Sequence, residues 1–465
     1  MILSTKEQRY FLMLIIAIIA VRLLSLGLYP LYDTTEARYG DMARMMASTN
    51  NYLTPMFNEL TPFWGKPPLH TWATSLSFEL FGVHEFSARL PHFAASLVTI
   101  LFTFSFTKRW FNQSTAITSV LMLCSMIGFI VGGAMVMTDA ILMLSITLAM
   151  ASFWLNYQNK SHIAGLLFFV AMAMGMLVKG PVSVVIIGIA LVVWSLYQGC
   201  LLPAIKSLPW LSGLLIFALL ALPWYLMAEQ ATPGFLHYFL WGEHVLRFIE
   251  PGWQGDLYGS AHDEAKGTIW LFWLAMAFPW SFILVARIIR QPKKSVKALR
   301  QRTLQPINSY LVAWALAPML LFTLAGNILP AYVMPALPAL AILCAQAIKQ
   351  KQLIKIAAVI SLLMLITILG YVCSGQWSKI SHAQLLKNVP DNQSVYYWKK
   401  RPFSASFYSK GNARVVDNYQ QLATLIALRN VLIAVKNSES EAFSIVMSAC
   451  TSKLVVQRYS LFYCS

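Results

Sequence analysis

The 465-residue sequence predicts an all-α polytopic membrane protein carrying a small C-terminal α/β domain. Its composition is 58% hydrophobic and 11% charged. That leaves too little polar surface to coat a water-soluble particle of this mass and excludes an ordinary soluble enzyme. Apolar runs able to cross about 30 Å of hydrocarbon recur from Ile15 to Val372, each bounded by charge, Pro or Gly. The polar remainder gathers in two long segments between spans and in a tail after residue 375.

Taken in order, the runs predict eleven helices, at 10–29, 90–107, 114–133, 139–156, 162–178, 181–197, 210–228, 268–289, 308–325, 330–347 and 354–373. The net charge of +17 does not form a basic face for nucleic acid, because the cations sit between apolar spans and report topology instead. With the N-terminus cytoplasmic, every inner segment is basic. These segments hold Lys6 and Arg9, Lys108 and Arg109, Lys160, Lys206, the run Arg287, Arg290, Lys293, Lys294, Lys297, Arg300 and Arg302, and finally Lys349, Lys351 and Lys355. Of the 18 acidic residues, Glu7 alone falls on the inner side. A stable fold does not require that asymmetry, so the outer face is expected to use carboxylates.

The first run follows Lys6 and Arg9, but no A-x-A-like cleavage site succeeds it, so it reads as a retained helix. Cys124, Cys200, Cys344 and Cys373 lie in or beside spans, and no C-x-x-C occurs, which argues against thiolate zinc. Cys450 and Cys464 could close two terminal strands as a disulfide or stand as free thiols.

The first outer segment, 31–89, is far too long to be a simple connection. It holds Asp33-Thr34-Thr35-Glu36-Ala37-Arg38-Tyr39, an amphipathic stretch with Met42, Met45 and Met46 at helical spacing, and Pro62-Phe63-Trp64-Gly65-Lys66-Pro67-Pro68. Short interfacial helices fit this pattern, and the Met stripe reads as packing. The second outer segment, 228–266, carries Trp241-Gly242-Glu243-His244-Val245-Leu246-Arg247-Phe248. Glu243 and His244 could be an acid/base pair, half of a metal site, or a structural hydrogen bond. The tail, 376–465, alternates β-rich runs at 394–398, 431–435 and 454–462 with helix-like runs at 420–428 and 441–447, which predicts a capping or docking domain. Within the spans, Asp139 and Lys179 stand at outward ends, where an ionisable group is costly unless paired or hydrated.

The outward inventory is therefore carboxylates, Asp33, Glu36 and Asp139, with cations, Arg38, Lys66, Arg89 and Arg247. Cations at headgroup depth suit a phosphate carried on a membrane lipid. No Walker A, Rossmann glycine pattern or Ser-centred elbow points to a nucleotide donor.

Asp33 to Tyr39, Ala43-Arg44, Leu53-Thr54-Pro55, Lys66-Pro67-Pro68-Leu69 and Leu80-Phe81-Gly82-Val83 resemble the first outer loop of the protein O-mannosyltransferase superfamily. The bacterial lipid A aminoarabinose transferases are the branch they look most like. Thr138-Asp139, Lys179-Gly180, Trp241 to Phe248 and Leu329-Pro330-Ala331-Tyr332 follow in the same order.

The resemblance implies a GT-C fold at 1–375 and a small periplasmic α/β domain at 376–465. It also implies inverting transfer of a sugar from undecaprenyl phosphate, or another polyprenyl phosphate, to a glycolipid, glycan or protein acceptor at the periplasmic face of the inner membrane. The implied catalytic residues are Asp33, Glu36 and Asp139. The implied substrate-binding residues are Arg38, Tyr39, Lys66, Arg89, Lys179, His244, Arg247 and Tyr332.

The sequence also departs from the family pattern. Thr35 stands at the Asp of the usual Asp-Glu pair, Gly65 replaces the Glu before Lys-Pro, and Asn327 and Ile328 stand near a position often held by Lys. No metal ligands are assigned, and a divalent metal stays open as a cofactor. A polyprenyl-linked sugar flippase or transporter is the competing reading, but such proteins tend to place polar groups at mid-membrane between repeats, and no internal repeat is seen.

Overall fold

The computed structural model describes residues 2–250, 252–259, 262–290, 304–374, 381–390, 393–427, 430–447, 450–456 and 458–464. The expected basic run from Lys293 to Arg302 lies outside them. Eight described helices are long and apolar enough to cross a membrane: Thr5–Gly27, Glu85–Trp110, Asp139–Asn159, His162–Lys179, Pro181–Gln198, Trp210–Ala231, Pro330–Ala347 and Lys351–Cys373. Gln113–Cys124 and Pro306–Phe322 are shorter apolar helices at two more of the expected positions. Each expected span is matched by an apolar element, which makes the chain a multi-pass membrane protein.

Two expected spans are not single rods. The expected helix at 268–289 is a pair, Thr268–Met276 and Trp280–Arg290, bent by 113°. Pro279 sits at the break, where it can neither donate an intrahelical hydrogen bond nor avoid the preceding turn. The expected helix at 114–133 stops at Cys124 and resumes as Ile127–Gly132. Ser125 turns its hydroxyl back onto the Leu121 and Met122 carbonyls and accepts the Trp280 indole N–H at 2.9 Å, so a side chain has entered the ladder at the break.

The helix Asp139–Asn159 runs through the most enclosed part of the bundle. At one end Phe153, Trp154, Trp194 and Tyr310 pack ring against ring, and Tyr310 donates to the Met150 carbonyl at 2.7 Å. The opposite end bears Asp139 and, alternating with the spans, Lys179, Pro330 and both long outer segments. Within the first of these, Thr35–Thr49 and Leu69–Phe81 are helices. Met42, Met45 and Met46 are buried in protein contacts rather than lying on a lipid surface.

The tail forms a five-stranded sheet: β1 Val395–Trp398, β2 Ala413–Val416, β3 Val431–Lys436, β4 Cys450–Val456 and β5 Tyr459–Cys464, in the order β2-β1-β3-β5-β4. β1 runs parallel to β2 and β3, whereas β5 is antiparallel to β3 and β4. Cys450 and Cys464 are register partners and are disulfide-bonded. The sheet unit docks on the first outer segment through the helix Phe403–Tyr408. Phe403 packs on Phe57 with ring centroids 5.1 Å apart, Arg401 meets Glu59 at 2.8 Å, and the Tyr408 hydroxyl accepts the Leu31 N–H and donates to Glu85.

Candidate functional site at the outer rim

Lys66 enters the site through a rigid strap. Pro67 and Pro68 fix the backbone that leads into Leu69–Phe81. Upstream, the Tyr258 hydroxyl donates to the Pro62 carbonyl at 2.8 Å and accepts the Trp64 N–H at 2.9 Å. The Lys66 ammonium then reaches Glu243 at 3.0 Å.

Glu243 lies in Tyr238–Leu246, which winds as a π-helix, a rare wide turn often found at functional sites. Both of its carboxylate oxygens accept from Arg247 at 2.9 Å, and the Tyr238 hydroxyl adds a donor at 3.3 Å. Arg247 also meets Asp256 at 3.2 Å. The Glu243 side chain is 3% exposed, whereas Lys66 and Arg247 retain 17% and 22%. The carboxylate is thus more enclosed than the two cationic side chains that pair with it. Burial opposes the Glu243 charge, but Lys66 and Arg247 overcome it and hold the carboxyl below the usual range.

A second pair stands deeper. Lys179 ends the helix His162–Lys179 and meets Asp139, in the first turn of Asp139–Asn159, at 2.6 Å. The Lys179 ammonium lies 4.2 Å from the centre of the Tyr332 ring, which is also within the fields of Lys66, Arg247, Asp139 and Glu243. His244 joins the two pairs: Nδ1 lies 2.7 Å from the Phe239 carbonyl and Nε2 3.2 Å from the Lys179 carbonyl. Burial pushes its imidazole below the ordinary range, against the two backbone carbonyls that its nitrogens face. Gly180 makes this junction feasible. Its φ is +82°, and a Cβ there would lie 2.5 Å from the Phe239 ring and 3.1 Å from His244.

Arg38 flanks the cluster, stacked over Tyr39 and Phe63 with its guanidinium carbon 5.0 and 5.8 Å from the ring centres, and it donates to the Tyr258 carbonyl at 3.4 Å. Its Nε is buried with no partner among the described residues. Tyr39 is buried edge-on against Phe63 and His70, so it supports Arg38 from within the core rather than facing a ligand.

Asp33, Glu36 and Arg89 are not brought into this cluster, unlike the expectation that groups them with it. Arg89, fully buried, spends all five N–H donors inside the protein: two on the Glu36 carboxylate and three on the carbonyls of Leu26, Tyr29 and Pro30. Glu36 also accepts the Val136 N–H. Burial opposes its charge, but Arg89 keeps the carboxyl below its ordinary range. Asp33 accepts both the N–H, at 3.0 Å, and the hydroxyl of Ser404 in the tail's docking helix. Burial raises its carboxyl against those hydrogen bonds.

A divalent metal does not fit these residues. Gly65 offers no ligand, both His244 ring nitrogens face carbonyls, and Glu243 is saturated by Lys66, Arg247 and Tyr238. Among the described residues no group of three His, Cys, Asp or Glu side chains is arranged to hold an ion. Sequence reasoning did not foresee Asp256, Tyr238 or Tyr258, nor Glu243 as the hub. The four-residue spacing from Glu243 to Arg247, which pairs charges on one helical face, was the available signal for the hub.

The chain is thus a helical membrane bundle with ionisable groups gathered at one rim and a small docked α/β unit, and its likeness to a solved ArnT structure shows the fold to be of the GT-C type. Residues 9–239 match the family described as dolichyl-phosphate-mannose-protein mannosyltransferase. The chain is 28% identical over 403 residues to the undecaprenyl phosphate-alpha-4-amino-4-deoxy-L-arabinose arabinosyl transferase of Erwinia tasmaniensis, covering 82% of this chain and 68% of that one. It is 30% identical over 332 residues to the Aeromonas hydrophila protein of the same name, covering 70% and 57%. It thus spans about three fifths to two thirds of the length of these relatives.

Among solved structures, ArnT from Cupriavidus metallidurans bound to undecaprenyl phosphate superposes with a TM-score of 0.78 at 19% identity, covering 97% of both chains. An archaeal oligosaccharyltransferase from Archaeoglobus fulgidus, in complex with an inhibitory peptide and a dolichol-phosphate, gives 0.55 at 11% identity, covering 94% of this chain and 70% of that one. By these matches the chain is similar to the protein O-mannosyltransferase superfamily.

Proposed function

We propose that the chain is an inverting membrane glycosyltransferase that takes a sugar from undecaprenyl phosphate, or a similar polyprenyl phosphate, and passes it to lipid A or another glycan or protein acceptor. The observation that carries this reading is that Lys66 and Arg247 present their partly exposed charges side by side over one buried carboxylate. Such a pair suits a lipid-borne phosphate. The relatives named for undecaprenyl phosphate-aminoarabinose transfer support the donor class.

In this reading Lys66 and Arg247 take the phosphate, while Lys179, Tyr332 and Arg38 shape the deeper wall and His244 fixes the spacing between the two ion pairs. Asp139, rather than Asp33 or Glu36, is the carboxylate set to orient the acceptor, because it lies within this cluster. Charge accumulating on the departing phosphate is stabilised by cations already in place. The basic inner segments support a cytoplasmic N-terminus, and in this reading the rim and tail open onto the periplasmic face.

Purified protein incubated with labelled undecaprenyl-phosphate sugar is expected to release undecaprenyl phosphate when an acceptor preparation is added. Movement of intact donor across a vesicle membrane without such release would instead establish a flippase.

A further inference from the structure

We propose that Glu243 is the charge-balancing residue of the donor site: it holds Lys66 and Arg247 in position for the phosphate and, by competing with that phosphate for them, sets how readily the phosphate product leaves. The proposal rests on the reading of this rim as a polyprenyl-phosphate site.

The geometry makes Glu243 an internal stand-in for an anion. One carboxylate bridges an ammonium at 3.0 Å and a guanidinium at 2.9 Å, the two groups that would otherwise converge on a phosphate. Asp256 takes a further N–H of the same guanidinium at 3.2 Å. Before donor arrives, Lys66, Arg247, Glu243 and Asp256 form a set of zero net charge. Both carboxylates lie at 6% exposure or less beneath cations that keep 17% and 22%. An incoming anion therefore meets the cations first and the carboxylates behind them.

The chemistry then changes the charge on the ligand. The acceptor oxygen bonds to the anomeric carbon as the bond from that carbon to the phosphate oxygen breaks. Both electrons of the broken bond stay on the phosphate, and any acceptor proton passes to solvent or to the phosphate. The donor is a phosphodiester with one negative charge. The product is a monoester, which at neutral pH approaches two, since its second ionisation falls near 6.

Repulsion from the fixed Glu243 charge thus acts about once on the donor and about twice on the product. The residue weakens product binding more than donor binding and favours turnover. A purely structural Glu243 would weaken both lipids alike when altered.

The test compares the wild-type full chain with Glu243→Gln in lipid nanodiscs, measuring affinity for undecaprenyl phosphate and for its methyl diester. Removing one unit charge at near-contact range is expected to raise the monoester-to-diester affinity ratio about tenfold. Inhibition of transfer by added undecaprenyl phosphate should set in at correspondingly lower concentration. Asp256→Asn, which relieves only Arg247, should move the ratio the same way by a smaller factor, and it serves where Glu243→Gln does not fold.

An unchanged or lowered ratio in a folded variant overturns the proposal while leaving the donor site standing. A wild-type chain that binds neither lipid overturns the site reading itself.

Discussion

Two carboxylate–cation clusters lie within the same outer architecture, and they differ in what they leave unspent. At Glu36 and Arg89 every guanidinium donor is used, the side chains are 1% and 0% exposed, and three further bonds go to the backbone of residues 26–30. At Glu243 one carboxylate serves two cations, both of which keep an open face. The first cluster ties the end of the first span to the helix Glu85–Trp110 and has no capacity left for a ligand. The second, in the proposed reading, exchanges its internal anion for an external one. Ion pairs of similar length thus separate into scaffold and site by their remaining donors and exposure, not by distance.

The contrast can be broken first at the clamp. Glu36→Ala leaves a buried guanidinium without its counter-charge and is expected to cost about 3–5 kcal/mol of stability, read from thermal unfolding in detergent. Because the Glu36 carboxyl is held below its ordinary range, its contribution is present above that range and fades as pH falls through the lowered value. Glu36→Gln should therefore start less stable at neutral pH and lose less than wild type on acidification. A Gln variant whose stability falls as steeply would assign the acid response elsewhere.

Lys66→Ala should do the reverse, leaving the unfolding temperature nearly in place while transfer falls about 10²–10³-fold, the usual loss for one preorganised charge. Full transfer in that variant would remove Lys66 from the site. Gly180→Ala tests the junction between the two ion pairs. A side chain forced to positive φ against Phe239 should cost about 1–3 kcal/mol and also reduce transfer, because His244 and the Lys179 carbonyl shift together. The smallest effect is expected at the tail, where Glu59 is largely exposed in its pair with Arg401. Arg401→Ala should change unfolding by less than about 1 kcal/mol.

The spans were legible because each is a local property: apolar length bounded by charge. The breaks at Ser125 and Pro279 were less so, since hydropathy does not register a hydroxyl turned onto a carbonyl or a bend within an apolar run. Lys66, Arg247, Lys179, Asp139 and Tyr332 stood out in the sequence because each sits in a short motif, in the outer segments or at an outward span end. That Asp33 and Glu36 already have partners within the fold was not legible, for a physical reason. Their partners lie far along the chain, Arg89 at 53 residues and Ser404 at 371, and no local pattern reveals that a carboxylate is already occupied. Glu243 was ambiguous because adjacency to His244 drew attention away from its partner four residues on.

The span of 371 residues between Asp33 and Ser404 also fixes an order of events during biosynthesis. The segment bearing Asp33, Phe57 and Glu85 is synthesised early, yet the helix that receives it is made only after the remaining spans have been synthesised. Until then Asp33, Leu31 and Glu85 lack Ser404 and Tyr408. Maturation of the outer face is thus a late event in which the tail folds back to fasten what was threaded through the membrane near the beginning.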